Sequence, residues 1–273
     1  MNVKFASNGT AYRFYPAVNG EAAAPVITLI HGLGLTQATW DDHIAELSQE
    51  YCVLTYDLAG HGQSNAPHRA PDLTLYAQQL AMLLDELTIN ECIVSGFSLG
   101  GMINRRFAMD YPDRVIALAI LNSPHERGEE AQSLVEQRAK DTSAGGPGAT
   151  LDATIERWFT PNFITQHPDV IAMVREWVLA NDAETYAACR LVLATGVIEL
   201  IRPHPPLTHP TIVITCEHDS GSTPAMTHAI ASEIVGAQSI IVPSLQHMGL
   251  MEAPKLFTAP ILTFLNDLQG QTS

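Results

Sequence analysis

The stretch "VSGFSLGGM", residues 94–102, sets one serine among glycines directly after a run of apolar residues. Gly96, Ser98 and Gly100 form the pattern G-x-S-x-G, with a strand-like segment before it and a helix-like segment after it. In that context the pattern is typical of a sharp strand-to-helix turn that exposes a nucleophilic serine. At the two glycine positions, two residues before and two residues after Ser98, a β-carbon is expected to collide with neighbouring backbone. A glycine-rich turn without a chemical role has the same pattern, so Ser98 needs partners elsewhere in the chain.

Short β-rich runs on both sides of this stretch alternate with helical patterns. Several of these runs are apolar throughout, which is typical of strands covered by helices on both faces. One helix with a leucine face is expected between residues 75 and 87, and another over residues 99–112 that ends before Pro112. We therefore predict an α/β fold with a mainly parallel central sheet flanked by helices. The predicted strands are residues 11–17, 25–32, 52–57, 91–97, 115–122, 211–218 and 239–244.

This alternation stops between about residue 123 and residue 207. The amphipathic runs "TLDATIERWF" (150–159) and "DVIAMVREWVLAND" (169–182) predict helices there, and no segment is a convincing strand. We therefore predict a core domain of residues 1–122 and 208–273 with a helical cap insertion, residues 123–207.

The composition narrows the classes of partner. The chain has 273 residues, 29 of them acidic and 14 basic, for a net charge of −15. This charge opposes binding to nucleic acid or to anionic membranes, so we expect neither partner. No signal-peptide-like run begins the chain, and no stretch approaches the roughly 20 apolar residues of a membrane span. Four cysteines scattered singly predict reduced thiols and a cytoplasmic location.

A serine hydroxyl needs a general base to become a nucleophile, and the base needs an orienting acid. In doubly wound sheets such residues are expected at the carboxyl ends of strands. Asp219 follows the strand-like "TIVITCEH", and His247 lies three residues past "SIIVPS". The order Ser98, Asp219, His247 is the order of α/β-hydrolase triads. We predict these three residues as nucleophile, acid and base.

Other acids and histidines compete for these roles. Two other acids are alternatives: Glu217, which lies two residues before Asp219, and Glu126, which lies past the strand that ends near residue 122. Asp219 is favoured because it stands at an inward-facing strand end, whereas His218 is expected to point away. The remaining histidines in helical or loop contexts are predicted to be surface or capping residues: His43, His68, His167, His204, His209 and His228.

The tetrahedral intermediates of acyl transfer carry an oxyanion that requires two backbone N–H donors. One is predicted to be the N–H of Leu99, which begins a helix directly after the serine. The other is predicted to be the N–H of Leu33 in "HGLG" (31–34), where glycines allow the backbone to approach closely.

The same loop allows a different interpretation. Gly32 and Gly34 after a strand, with Asp57 at the end of the next one, imitate a dinucleotide fingerprint. The third glycine of that fingerprint is missing, because Gln37 occupies its position. No Walker lysine loop or zinc helix is present, so we expect no cofactor and no metal.

The motifs "LIHGLG", "YDLAGHGQS", "GFSLGG", "TIVITCEHD" and "QHMGLMEAP" together resemble the α/β-hydrolase superfamily. Within it, "ATIERWFTPNF" (153–163) and "YAACRLVLA" (186–194) resemble the 3-oxoadipate enol-lactonase and carboxylesterase group. The resemblance implies an α/β-hydrolase fold, a serine triad without a cofactor, and a cap that carries Trp158 over the pocket. It also implies a structural loop built by Asp57, Gly60, His61, Gly62 and Ser64.

These observations predict a serine hydrolase of a small ester or lactone, with 3-oxoadipate enol-lactone as one candidate substrate. A general carboxylesterase, a lactonase for another ring and a ligand-binding sensor without turnover are the alternatives. Ser98 in place of a carboxylate argues against a dehalogenase. Trp158, Phe159 and Phe163 are predicted to bind the substrate in a partly apolar pocket. A substrate carboxylate could be met by Arg138, Arg157 or Arg190.

Overall fold

The computed structural model describes residues 1–19, 24–141 and 145–272. Its centre is an eight-stranded sheet in the order β1-β2-β4-β3-β5-β6-β7-β8. The strands are Lys4–Phe5 (β1), Ala11–Tyr15 (β2), Val26–Ile30 (β3), Cys52–Tyr56 (β4), Cys92–Phe97 (β5), Val115–Leu121 (β6), Thr211–Cys216 (β7) and Gln238–Val242 (β8).

Helices connect and flank these strands. In chain order they are Asp41–Leu47 (α1), Leu73–Glu86 (α2), Leu99–Asp110 (α3), Glu129–Asp141 (α4), Leu151–Trp158 (α5), Pro161–Gln166 (α6), Pro168–Leu179 (α7), Ala183–Thr195 (α8), Pro224–Glu233 (α9), Gly249–Glu252 (α10) and Lys255–Thr272 (α11). Short 3₁₀ turns cover Gln37–Trp40, Pro112–Arg114 and Gly196–Leu200.

The sheet is parallel from β4 through β8, whereas β1 and β2 are added antiparallel at one edge. Every residue of β5 and β7 is buried, which explains why these strands are apolar without alternation. The α/β prediction is confirmed, and each predicted strand is present. The sequence pattern missed β1, because two exposed residues give no periodic signal.

The predicted helices of the core are also present. Leu75, Leu80, Leu83 and Leu84 are buried on one face of α2, and the side chain of Asp72 accepts a hydrogen bond from the Leu75 N–H at the start of that helix. The helix α3 ends at Asp110, because Pro112 cannot continue it.

The segment between β6 and β7 is helical in its described residues, which contain no strand. We call α4–α8 the cap helices. The predicted amphipathic runs form α5 and α7, whose buried faces include Ile155, Val174 and Val178. The boundaries of a separate cap domain stay a prediction.

The parallel strands place their carboxyl ends along one edge of the sheet. The loops after β3, β5, β6, β7 and β8 therefore lie next to one another there. No helix in the described part of the chain is both long and apolar enough to cross a membrane. The four cysteines are free thiols, of which all but Cys52 are buried.

Candidate active site

Ser98 lies in the turn between β5 and α3 with strained backbone angles, φ 56° and ψ −113°. A side chain rarely adopts a positive φ, and such strain is concentrated at functional sites. The Ser98 N–H donates to the carbonyl of Leu121 at the end of β6, 2.8 Å away, and this bond holds the turn against the sheet. Ser98 is thereby raised above the carboxyl edge.

The glycines on both sides of Ser98 are required by close backbone contacts. A β-carbon on Gly96 would meet the carbonyl of Gly100, and one on Gly100 would meet the carbonyl of Ile30, each well inside 3.0 Å. Backbone cannot move aside as a flexible side chain does. The predicted steric reason for glycine at both positions is confirmed.

Ser98, His247 and Asp219 form a continuous hydrogen-bonded chain. The Oγ of Ser98 lies 3.2 Å from Nε2 of His247, and Nδ1 of His247 lies 2.6 Å from Oδ2 of Asp219. With the proton on Nδ1 donated to the carboxylate, Nε2 is free to accept the proton of Ser98. The structure thus brings the three predicted residues together in the arrangement of a nucleophile, a base and an acid.

The Asp219 carboxylate is buried and accepts hydrogen bonds on both oxygens. Oδ1 accepts from the N–H groups of Gly221 and Ser222, both at 2.9 Å. Oδ2 accepts from His247 and from the side-chain amide of Asn122, 2.8 Å away. Burial by itself would raise the pKa of Asp219, but the neighbouring His247 and these hydrogen bonds outweigh it and hold the pKa below its ordinary value. The acid is kept ionised.

The competing acids point elsewhere. Glu217 is exposed and accepts from the N–H of Ser244, and Glu126 pairs with Arg202 at 3.0 Å on the surface. His218 is exposed beside Glu217, as expected. These contacts leave Asp219 as the acid that meets His247.

One histidine departs from the sequence predictions, and a second, for which no prediction was made, is buried as well. His43 is buried, not on the surface, and lies 2.7 Å from the hydroxyl of Thr258 and 3.1 Å from the carbonyl of Leu250. Burial lowers its pKa to about 4. His125, which the sequence did not single out, is also buried, 3.2 Å from Glu233. Short polar segments gave no sign that tertiary packing would enclose these rings.

The loop after β3 lies beside the nucleophile. A β-carbon on Gly32 would lie 3.2 Å from the β-carbon of Ser98, and Leu33 lines the same cavity as Ser98. His31 fixes this loop, because Nδ1 donates to the carbonyl of Gly32 at 2.8 Å and Nε2 accepts from the N–H of Leu58 at 3.0 Å. Burial lowers the His31 pKa to about 4 despite the bond to Gly32, so the ring is neutral at pH 7. That neutral tautomer matches both bonds.

The predicted oxyanion donors have the required freedom. Among the described residues, no acceptor is found for the N–H of Leu33 or for the N–H of Leu99. Leu99 is the first residue of α3, where helix geometry leaves the N–H without an intrahelical partner. Their role as an oxyanion hole stays a prediction, supported by this placement.

A cavity of about 200 Å³ opens in front of Ser98. It lies between the sheet edge and the cap helices, which contribute residues from α4, α5 and α8. Of the described residues that line it, Asp219 is the only carboxylate. The lining is formed by Gly32, Leu33, Leu35, Phe97, Ser98, Pro124, Arg127, Val135, Ala139, Thr154, Arg157, Trp158, Tyr186, Arg190, Leu193, Ala194, Asp219, Gly221, Ser222 and His247.

The aromatic residues predicted to bind substrate behave differently from one another. Trp158 lines the cavity, and its ring lies 6.0 Å from that of His247. Within the described lining neither Phe159 nor Phe163 is present, so their prediction is corrected. Phe159 is completely buried and stacks on Phe163 at 5.4 Å, while Phe163 stacks on His167. Both rings pack the cap helices instead.

The cap helices are attached to the loop that carries His247. The N–H of Met248 donates to the carbonyl of Trp158 at 2.8 Å. The Glu252 carboxylate accepts from the N–H of Thr160 at 2.8 Å and from its hydroxyl at 2.6 Å. These bonds hold Trp158 beside the ring of His247.

Three arginines line the cavity: Arg127, Arg157 and Arg190. Arg157 and Arg190 were predicted candidates, whereas Arg127 was missed and the side chain of Arg138 lies outside the described residues. Arg190 donates to the hydroxyl of Thr150 at 3.2 Å, and Arg127 donates to the side chain of Gln132 at 2.9 Å. The cavity therefore brings together apolar side chains, three arginines and the hydrogen-bonded chain of Ser98, His247 and Asp219.

The residues that imitate a dinucleotide fingerprint, Gly32, Gly34 and Asp57, have a structural role. Gln37 donates to Asp57 from its backbone N–H at 2.7 Å, and Gln63 donates to the same carboxylate at 2.9 Å. A β-carbon on Gly62 would collide with that carboxyl group. Asp57 is therefore occupied within the protein. Among the described residues, no group of three or more His, Cys, Asp or Glu side chains is arranged to hold a metal ion.

Comparisons with known proteins agree with this fold. A family model described as "Alpha/beta hydrolase family" matches residues 29–259. The 3-oxoadipate enol-lactonase 2 of Acinetobacter baylyi is 28% identical over 242 residues, which cover 88% of this chain and 88% of that protein. The (E)-2-((N-methylformamido)methylene)succinate hydrolase of the same organism is 26% identical over 249 residues, covering 91% and 92%.

A solved structure is similar along nearly the whole chain. The crystal structure of the enol-lactonase from Burkholderia xenovorans superposes with a TM-score of 0.85 and 30% sequence identity. The match covers 96% of this chain and 100% of that one. Both the sheet and the cap helices therefore have counterparts in known hydrolases.

Proposed function

The chain belongs to the alpha/beta hydrolase family, and from that premise we propose that it is a serine hydrolase cleaving a carboxylic ester or lactone bond of a small substrate. The observation that carries the proposal is the chain of hydrogen bonds from Ser98 through His247 to Asp219. A cavity of about 200 Å³ in front of Ser98 suits a small molecule.

The reaction proceeds by acyl transfer in two steps. His247 takes the proton of Ser98 at Nε2 while Oγ attacks the carbonyl carbon, and Asp219 stabilises the imidazolium that forms. The N–H groups of Leu33 and Leu99 receive the oxyanion. His247 then gives its proton to the departing alcohol oxygen, which stays tethered to the acyl group when the substrate is a lactone. His247 then takes a proton from water as the water oxygen attacks the acyl carbon, and it returns that proton to the Oγ of Ser98 when the acyl–oxygen bond breaks and the acid leaves.

The substrate class within this proposal is an ester or lactone that carries a carboxylate. The protein has a net charge of −15, yet the described lining of its cavity contains three arginines. The same described lining has a single carboxylate, that of Asp219, which His247 already engages. A guanidinium group binds a carboxylate through paired N–H donors. The lactone of 3-oxoadipate, named in relatives, retains one carboxylate after ring closure, so it fits this class.

Replacement of the nucleophile tests the proposal. Ser98→Ala is expected to lower kcat on p-nitrophenyl acetate by a factor of about 10³ or more. Ser95→Ala is the matched control, because that buried hydroxyl of β5 has no hydrogen-bond partner among the described residues. Near-normal turnover by Ser98→Ala, or one burst without turnover by the unmodified protein, would contradict a serine hydrolase.

A charged and a neutral ester of equal length test the substrate class. Arg190→Met is expected to lower kcat/KM for mono-p-nitrophenyl succinate by about tenfold or more and to leave p-nitrophenyl butyrate within about twofold. Arg175→Met is the control, since Arg175 pairs with Asp152 at 2.6 Å outside the described cavity lining. Equal losses of kcat/KM on both esters would contradict the proposed carboxylate-bearing substrate and leave the proposed hydrolase activity unaffected.

A further inference from the structure

The residue directly after β6 lies under the triad. Asn122 is completely buried, and its N–H donates to the carbonyl of Ile214 in β7 at 2.8 Å. Its side-chain Nδ2 donates to Oδ2 of Asp219 at 2.8 Å and lies 3.3 Å from the hydroxyl of Thr215. Oδ2 is the same oxygen that His247 meets. Asn122 therefore contacts the acid of the triad at the atom that faces the base.

Two features of Asn122 are energetically unfavourable, one in its backbone and one in its side-chain amide. Its φ is 45°, in the left-handed region that asparagine tolerates better than most residues. Its Oδ1 is buried without a hydrogen-bond partner among the described atoms. A buried acceptor left without a partner is unfavourable, and such groups in folded proteins call for an explanation. Here the amide is held by its donor end alone, which faces the carboxylate.

A buried guanidinium fixes the loop that begins at Asn122. Arg105 donates through Nη2 to the hydroxyl of Ser123 at 3.0 Å and to the carbonyl of Pro124 at 2.7 Å, and through Nε to the carbonyl of Gly101 at 2.9 Å. Arg105 belongs to α3, the helix that begins at Leu99. The loop of Asn122 and the turn of Ser98 are thereby joined to one helix.

We propose that Asn122 is a positioning residue of the triad, acting through Asp219. Its amide holds Oδ2 in place toward Nδ1 of His247 and stabilises the ionised carboxylate. This role rests on the proposed serine mechanism. Asn122 is absent from the described lining of the cavity, so its effect is expected in kcat and not in KM.

Asn122→Gly removes the amide and keeps the positive φ without strain. We expect kcat to fall about tenfold or more, which is a loss of about 1.4 kcal/mol of transition-state stabilisation, with KM within about twofold. Asn104→Ala is the matched control: Asn104 is equally buried and donates to the carbonyls of Val94 and Ala119, away from the triad. That variant is expected to lose stability but keep kcat.

A second variant keeps the experiment informative if glycine impairs folding. Asn122→Asp has the same shape and tolerates the same φ, but it sets a second carboxyl group beside Asp219. Two carboxyl groups this close do not ionise independently, and one of them keeps its proton to a higher pH. The pH profile of kcat is therefore expected to gain an ionisation that the unmodified protein and Asn104→Ala do not have.

A double-mutant cycle with Asp219→Asn separates positioning from a structural role. If Asn122 acts through the carboxylate, Asn122→Gly changes kcat by less than about twofold in the Asp219→Asn background. The downfield proton resonance of His247 Nδ1–H, which needs no turnover, is expected to shift in Asn122→Gly and not in Asn104→Ala. An equal tenfold loss in both backgrounds, or an unchanged kcat and resonance in folded Asn122→Gly, would overturn the proposal.

The same set of proteins distinguishes two kinds of failure. Activity retained by Ser98→Ala removes the serine mechanism altogether. An inactive Ser98→Ala beside an Asn122→Gly variant with normal kcat leaves the mechanism and removes only the positioning role.

Discussion

The sheet edge that carries Ser98, Asp219 and His247 and the cap helices that face it are held by different forces. At the sheet edge, backbone contacts and buried hydrogen bonds allow little choice of residue: Gly96 and Gly100 touch neighbouring carbonyls, and both oxygens of Asp219 are occupied. In the cap helices, apolar faces of α5 and α7 pack on neighbours of similar character. The geometry of the sheet edge is therefore rigid, whereas the cap helices rest on packing that tolerates substitution.

The largest effect is expected from a substitution in the rigid turn at the sheet edge. Gly100→Ala would press a β-carbon into the carbonyls of Ile30 and His31, neither of which can move without distorting β3. We expect a loss of more than about 4 kcal/mol in the free energy of unfolding, together with loss of activity. Urea unfolding followed by circular dichroism measures it.

Gly270→Ala is the control for this substitution. Among the described residues, no atom beyond the adjoining residues and the backbone of α11 lies within 4 Å of a β-carbon at that position, so alanine is expected to be neutral or slightly stabilising there. A stable, active Gly100→Ala protein would contradict the view that backbone contacts fix the turn.

A smaller effect concerns the buried histidines of the core. The pKa of His43 is lowered from 6.5 to about 4 by burial, so between these values the unfolded chain binds a proton that the folded protein does not. Stability is full above pH 6.5 and falls as the pH drops toward 4, by about 3 kcal/mol from this residue. His43→Gln is expected to reduce the slope of the unfolding free energy against pH in that window, in urea titrations at several pH values.

His228→Gln provides the comparison, because His228 is exposed on α9, where its ring hydrogen-bonds to the hydroxyl of Ser239 at 3.2 Å. If both variants keep the slope of the unmodified protein, the burial of His43 does not drive the acid sensitivity.

The same contrast explains what the sequence could predict. Ser98 was predictable from a steric motif, and Asp219 and His247 from the rule of strand ends and from the chain order Ser-Asp-His. Asn122 obeys the strand-end rule too, but its amide has no motif, and only the bond to Asp219 reveals it.

The walls of the cavity were less predictable. Trp158 and Phe159 are adjacent aromatic residues at the end of α5, yet one lines the cavity and the other is completely buried. Which of them faces the cavity depends on how α5 is oriented on the sheet. That orientation is set by distant contacts such as the bond between Trp158 and Met248, which local periodicity does not contain.

The smallest expected effect lies where the two regions meet. Glu252 accepts two hydrogen bonds from Thr160 and so holds the end of α5 beside His247. Glu86 accepts from the N–H and hydroxyl of Ser7 in the same manner, at 2.8 Å and 2.7 Å, outside the described cavity lining. Replacing Glu252 by alanine is expected to cost about 1 kcal/mol of stability, because its part-buried hydrogen bonds are lost, and replacing the exposed Glu86 is expected to change stability in the same direction.

Only Glu252→Ala is expected to change catalysis. Release of Thr160 frees Trp158 to move from the cavity wall, so KM should rise about threefold while kcat stays nearly constant, because the triad itself is untouched. Steady-state kinetics on one ester, with thermal unfolding of both variants, measures the difference. If Glu86→Ala raises KM equally, the attachment of the cap helices contributes stability alone, and the wall formed by Trp158 must be held by the packing of α5 itself.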